Sequence, residues 1–493
     1  MLRARTASRV FSRAVFAAQI VAATAFAQTT VPGAGLQYVT NITVPTWAQT
    51  GTAQANYDLF AFNPLTRIMY IADRTNKAVT AIDTKTNTYA GMAAIPTGLS
   101  ANGVVIAPDL QQLIATDGGP NIIVYDLRNP ATPPVTYVVP KITGGTDAID
   151  YNPINHTVYV INGSAPYYMT GVDLVNQQIS TQYQLPASPE LMKFDPVDGM
   201  IYQVFTDGDN ANKGTGVARY NPYTNTLGPT WPVACVPHGI DIDPVTNTAL
   251  IGCGTANPSI PGSNGGQILM DLSNGKVLNQ FPDVTGTDLL NFNSNNRRWY
   301  SGSAGNNSTT TGCSKDSTGA VPVVGVFDAK GPAPNIGQLV GVLCGGRNSR
   351  LGIDTIQNNI YVASRQYPSD STGATSGIWG VQVFHDPAPP AQRTTSISQA
   401  AVTAIGGNAP SAGVSFEPDG RYIRVDATAQ NIPGATALLS IATTIGSENV
   451  PCIVNNGAAT CFGILLGDPL IGGPVLLASD GTPVASGKIG AVE

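Results

Sequence analysis

Three features predict an all-β fold: a seven-bladed β-propeller whose N-terminal strand closes the last blade, followed by a small β-sandwich. A strand–turn–strand unit such as Pro237 to Cys253 (PHGIDIDPVTNTALIGC) recurs about seven times along the 493 residues. The recurrences begin about 43 to 50 residues apart, the period of a propeller blade, and a complete one carries four short strands. The composition agrees, because Gly 53 and Pro 37 supply turns while charged residues make up only 11%.

The extreme N-terminus reads as a targeting segment rather than as part of the fold. Arg3, Arg5, Arg9 and Arg13 precede an apolar stretch from Ala14 to Phe26, and Ala25-Phe26-Ala27 gives a small-x-small cleavage site. Residues 1–27 are therefore expected to be removed, leaving Gln28 first and no integral membrane segment. The destination is periplasmic or extracellular, where disulfides form. A net charge of −6, with no Lys/Arg cluster beyond the N-terminus, argues against a nucleic-acid partner.

The propeller is expected over residues 28–386. Unit one reads YDLFAFNP, IMYIAD, AVTAID and TYAGMAAI, and the order returns from Asn102, Asp147, Glu190, His238 and Asp288. A seventh unit starts near Ser349-Arg350 and runs out after three strands at His385. The unclaimed stretch Leu36 to Pro45 (LQYVTNITVP) alternates like a strand and is predicted to complete it, removing an open edge. Counts of six or eight, or a pair of β-sandwiches, are the alternatives. Because the third strand of the last unit ends on the bottom face, the following domain is expected opposite the channel mouth. Residues 387–393 form a Pro-rich linker, and 394–493 read as an immunoglobulin-like β-sandwich.

Ile68 to Asp73, Val79 to Thr84 (VTAIDT) and Thr86-Asn87-Thr88 resemble the repeats of bacterial propellers of the YVTN and NHL type, and His156 to Asn162 and Asn359 to Ala363 echo them. The resemblance spans about residues 36 to 386. It implies the propeller fold and leaves activity open, since relatives include binding proteins, lyases and lactonases.

Strand direction pairs the six cysteines as neighbours: Cys235 with Cys253, Cys313 with Cys344, and Cys452 with Cys461. Free thiols are the alternative. The head of each first strand carries a polar residue: Asp58, Asn102, Asp147, Glu190, His238 and Asp288, with Ser349 or Arg350 in the seventh unit. First strands line the channel, so these side chains should converge at its mouth as a ligand-binding ring. Asp58, Asp147, Glu190 and Asp288 are also the donors that a hard cation such as Ca²⁺ would use. The competing expectation is a wet channel holding ordered water and no cofactor.

Long loops at 206–215, 254–266, 302–320 and 365–377 should wall the same face, with Tyr367 available to stack on a ligand. Asp207 to Asn212 begins like a calcium loop but lacks the later ligands. The three histidines lie on different units, and GxSxG, HExxH and P-loop motifs are missing. The leading expectation is a secreted, non-catalytic protein binding a small polar ligand or a cell-surface or protein partner. The alternative is a divalent-metal-dependent lactonase or carbon–oxygen lyase using His238 or Glu190 to move a proton.

Overall fold

The computed structural model describes residues 35–491 except 46, 48–55, 65, 196–197, 207–214, 245, 257–264, 304–312, 314–320, 330–336, 345–349, 365–379, 389–397, 405–410, 420–421, 444–445, 466, 468 and 471. Residues 1–27, expected to be a targeting segment, together with Ser349, the loop residues 207–212 and Tyr367, lie outside that description.

Among the described residues every element is a strand, because the apolar runs are short, alternate with polar residues and are cut by Asx-type turns. The first sheet comprises Tyr57–Asn63, Ile68–Asp73, Ala78–Asp83 and Thr88–Ala94, paired antiparallel in chain order. Its turns show why the repeat works: Asp83 Oδ1 accepts the N–H groups of Lys85 and Thr86, and Asn87 takes a left-handed φ of 53°.

Seven such four-stranded antiparallel sheets occur among the described residues, the arrangement of a β-propeller. Six use four consecutive strands, whereas the seventh combines Arg350–Asp354, Asn359–Ser364 and Gly380–His385 with the N-terminal strand Gln37–Ile42. Gln37 pairs with His385 and Ile42 with Val381, so the predicted strand from the start of the chain covers the last edge. First strands neighbour one another in sequence order, and the Arg350–Asp354 strand lies against Tyr57–Asn63.

Burial follows this geometry. The second strand of the third sheet, Thr157–Asn162, is buried at every position because both its faces meet neighbouring sheets. The fourth strand of the first sheet alternates exposed and half-buried residues at the rim. The apolar cores lie between sheets: Tyr202 and Val204 of the fourth pack with Ile240 and Ile251 of the fifth.

The C-terminal unit corrects the sandwich expectation. Strands Ser398–Ala404, Ser411–Asp419, Tyr422–Gln430, Ala437–Thr443, Gly446–Asn455, Ala458–Leu465, Pro474–Ser479 and Thr482–Ala491 form one closed barrel. Closure comes from the first and last of them, with Ser398 opposite Ala491 and Ala404 opposite Ala485. A sandwich would leave those edges open; pairing them leaves none. Val414, Phe416, Val425, Leu439, Ile441 and Leu477 fill the interior. Ser447, Glu448 and Asn449 of this barrel line the lower end of the propeller channel beside Pro64, Pro108 and Pro153 from turns between first and second strands.

Candidate functional site at the channel mouth

Six of the ring residues stand where their first strands break register. Tyr57 pairs with Asp73 but Phe60 with Ile71, so Asp58 and Leu59 together oppose one residue. The same bulge holds Asn102, Asp147 and Glu190, and a related shift holds His238 and Asp288. A bulge leaves its extra residue unpaired and re-aims the side chain. Here the repeated device brings polar side chains of consecutive sheets toward one mouth.

Buried polar side chains on the second strands satisfy the backbone of these bulges, as burial requires. Thr116 Oγ1 accepts from the Gly103 N–H at 2.6 Å and donates to the Asp147 carbonyl at 2.7 Å. Gln203 Nε2 donates to the Glu190 carbonyl at 2.9 Å. Gly254 makes room for His238: a Cβ there would stand 2.4 Å from the imidazole Cδ2. Two disulfides brace this face, Cys235–Cys253 and Cys313–Cys344, and Cys452–Cys461 closes a hairpin in the barrel.

The seventh ring position is Arg350, and its guanidinium changes the character of the site. Nη1 lies 2.6 Å from Asp58 Oδ1, Nη2 lies 2.8 Å from Asp288 Oδ2, and Nε donates to the same Asp288 oxygen at 3.0 Å. Nη1 also donates to the Tyr57 carbonyl at 2.5 Å. Arg74, which follows the second strand of the first sheet, pairs with Asp58 and donates from Nε to Asn102 Oδ1 at 3.1 Å. It reaches Asp147 Oδ1 at 3.9 Å. Asn102 then donates to the Thr146 carbonyl at 2.9 Å, so its amide is held as well.

The opposite arc is looser. His238 Nδ1 stands 4.0 Å from Glu190 Oε1 and 3.9 Å from Asp288 Oδ1, beyond hydrogen-bond range. Burial pushes the Glu190 carboxyl up to about 8, helped by the charges of Asp147, Asp288 and Asp58. Asp147 is also raised by burial, against the pull of Arg74 and Arg350. Burial takes Asp58 up to about 7 despite the two guanidinium groups. Asp288 goes the other way: burial would raise it, but the charge and hydrogen bonds of Arg350 outweigh that and hold it low. Burial depresses His238, so its imidazole is neutral at neutral pH.

All six predicted ring residues therefore reach the mouth, but the four carboxylates do not form a cation cage. Two guanidinium groups occupy the side of Asp58 and Asp288, and no group of three or more His, Cys, Asp or Glu among the described residues is arranged to hold a metal ion. A Ca²⁺ ion would have to displace Arg350 from its carboxylates, so the residues do not fit a built divalent site.

Arg74 escaped the sequence reading because it sits in a turn, outside the repeated strand heads. Thr116, Gln203 and Gly254 escaped because their role is to hold backbone or leave space. His156 lies in the turn before Thr157–Asn162, away from the ring, with Nδ1 2.9 Å from Asp109 Oδ2, and His385 ends its strand 3.2 Å from Asn359 Oδ1.

No family model and no curated protein matches the chain. Among solved structures it is similar to hydrazine synthase of Kuenenia stuttgartiensis, with a TM-score of 0.52 and 12% sequence identity, the match covering 70% of this chain and 100% of that one. At that identity the likeness is one of fold, and it agrees with the propeller-like set of sheets.

Proposed function

We propose that the chain is a secreted or periplasmic binding protein, a seven-bladed propeller of the YVTN and NHL type, whose channel mouth takes a neutral, hydroxyl-rich ligand. A saccharide, free or on a surface partner, is the chemical class that suits it. The observation that carries the reading is the self-balanced ring. Arg350 and Arg74 offset Asp58, Asp147 and Asp288, the first two raised by burial, while Glu190 holds its proton at neutral pH and His238 lacks one. Such a mouth has little net charge to attract an ion, yet it presents donors and acceptors of fixed position, the requirement for recognising hydroxyl groups. The disulfide-braced face and the three paired bridges support an oxidising destination.

A printed array of oligosaccharides, probed with the labelled full chain, tests this. Retention on a defined subset, reduced at least tenfold by Glu190→Ala, supports the reading. Retention only on polyamines or polyanions, or none at all, contradicts it.

The neutral imidazole beside a protonated carboxyl, 4.0 Å apart, favours one second reading. In a carbon–oxygen lyase His238 would take a proton from carbon while Glu190 protonated the departing oxygen. Turnover by chelator-treated protein, abolished by His238→Gln and by Glu190→Gln separately, would favour it over binding alone.

A further inference from the structure

Below the mouth lies a cavity of about 370 Å³, within the size range of small-molecule sites. Its wall comes from the middle of the first strands, including Ala61, Leu289 and Phe292, and its floor includes Glu448 of the barrel. Asp150 lies three residues beyond Asp147 on the same strand, roughly 10 Å along it, so this chamber is separate from the ring.

The charges of the chamber do not balance as those of the mouth do. Lys193 Nζ stands 3.9 Å from Asp150 Oδ1 and 3.7 Å from Asp241 Oδ1. The other oxygen of each carboxylate accepts a backbone N–H of the next sheet, Phe194 at 2.6 Å and Phe292 at 2.7 Å. One lysine thus faces two carboxylates. Asp109 is matched by His156 at 2.9 Å and also accepts from Tyr151 Oη at 2.9 Å. Glu448, at the floor, accepts the Gly467 N–H at 3.0 Å.

We infer that the lower channel is a second ligand site, built for a small molecule bearing one ammonium group on an apolar body. The apolar wall takes the hydrocarbon, and the carboxylate that Lys193 leaves unmatched takes the charge. An anionic ligand meets net repulsion there, and a neutral one forgoes the electrostatic term. The barrel residues Ser447, Glu448 and Asn449 line the end of the chamber away from the mouth.

Calorimetric titration of the full chain with benzylamine, benzyl alcohol and benzoate tests this inference. The expected result is one benzylamine bound per chain, with at least tenfold weaker binding of the other two. Asp241→Asn, which removes a charge while keeping an acceptor oxygen, and Ala61→Leu, which fills the chamber without touching a charge, should each weaken benzylamine at least tenfold. Circular dichroism checks that both variants are folded; if Asp241→Asn is not, Ala61→Leu decides alone. Absence of benzylamine binding, equal binding of benzoate, or full binding by folded Ala61→Leu overturns the inference.

Discussion

Arg350 Nη1 lies 2.6 Å from Asp58 Oδ1, an ion pair between the last sheet of the ring and the first. The second arm of the same guanidinium reaches Asp288 on the sixth sheet. The seventh, first and sixth sheets thus meet at one guanidinium in the mouth. Replacing it leaves Asp58, whose side chain is 9% exposed, with Arg74 as its remaining partner.

Arg350→Met should accordingly destabilise the chain by on the order of 3 kcal/mol, the cost of breaking a buried ion pair from one side. Arg350→Lys, which keeps a charge but loses the fork, should recover only part of it. Denaturant unfolding measures both; a loss below about 0.5 kcal/mol for the Met variant, the size expected of a surface substitution, would mean the clamp is incidental.

The N-terminal strand makes a second closure. Ile42 is 4% exposed and packs with Val381 and Val383 of the same sheet. Ile42→Ala should cost about 2–4 kcal/mol, and Ile42→Asp should expose the edge and promote association of chains. Light scattering alongside thermal unfolding reads the two effects separately.

Disulfides should rank by the length of chain they close. Cys235–Cys253 spans 18 residues and Cys452–Cys461 spans 9. Double Ser replacement of the first should cost about 3 kcal/mol, and of the second somewhat less. Equal midpoints for the wild type and the first double variant would contradict a bracing role.

Stability should be greatest in mildly acidic solution. The folded Glu190 carboxyl titrates at about 8 against an ordinary value of 4.5. Between those values the folded chain holds a proton that the unfolded chain has released, so stability falls as pH rises across that window. His156, raised by its hydrogen bond to Asp109, acts in the same sense: its contribution is complete below 6.5 and is lost as pH rises through its folded value. Asp288, held low by Arg350, contributes above 3.8 and is lost as pH falls through its lower folded value. Melting temperatures should therefore peak near about pH 4–5 and decline toward pH 9, with a shallower decline for Glu190→Gln. A rise from pH 6 to 9 in the wild type would contradict the assignment.

The repeat made most of this architecture legible. Four-strand units, the stray N-terminal strand and the cysteine pairs all depend on local pattern plus one topological rule. The heads of the first strands could be named for the same reason. Arg74 could not, because a turn arginine carries no signal of where its guanidinium goes. Nor could the sequence show that Arg350 would meet Asp58 and Asp288, which lie 292 and 62 residues away. The barrel was missed for a related reason, since its closure joins Ser398 to Ala491. Alternating strands predict two buried faces equally well when a sheet folds over or when it closes. The lower chamber depends on Lys193, which in sequence is an ordinary polar position in a strand.

The proton state of Glu190 is the most direct test of the mouth as a site for neutral, hydroxylated ligands. An oligosaccharide retained on the array should be titrated against the full chain from pH 6 to pH 9. Affinity should hold at the acidic end and fall at least tenfold as pH passes about 8, where Glu190 loses its proton and its donor. Affinity that is flat across this range, or that rises with pH as it would for a cationic ligand, would contradict the account.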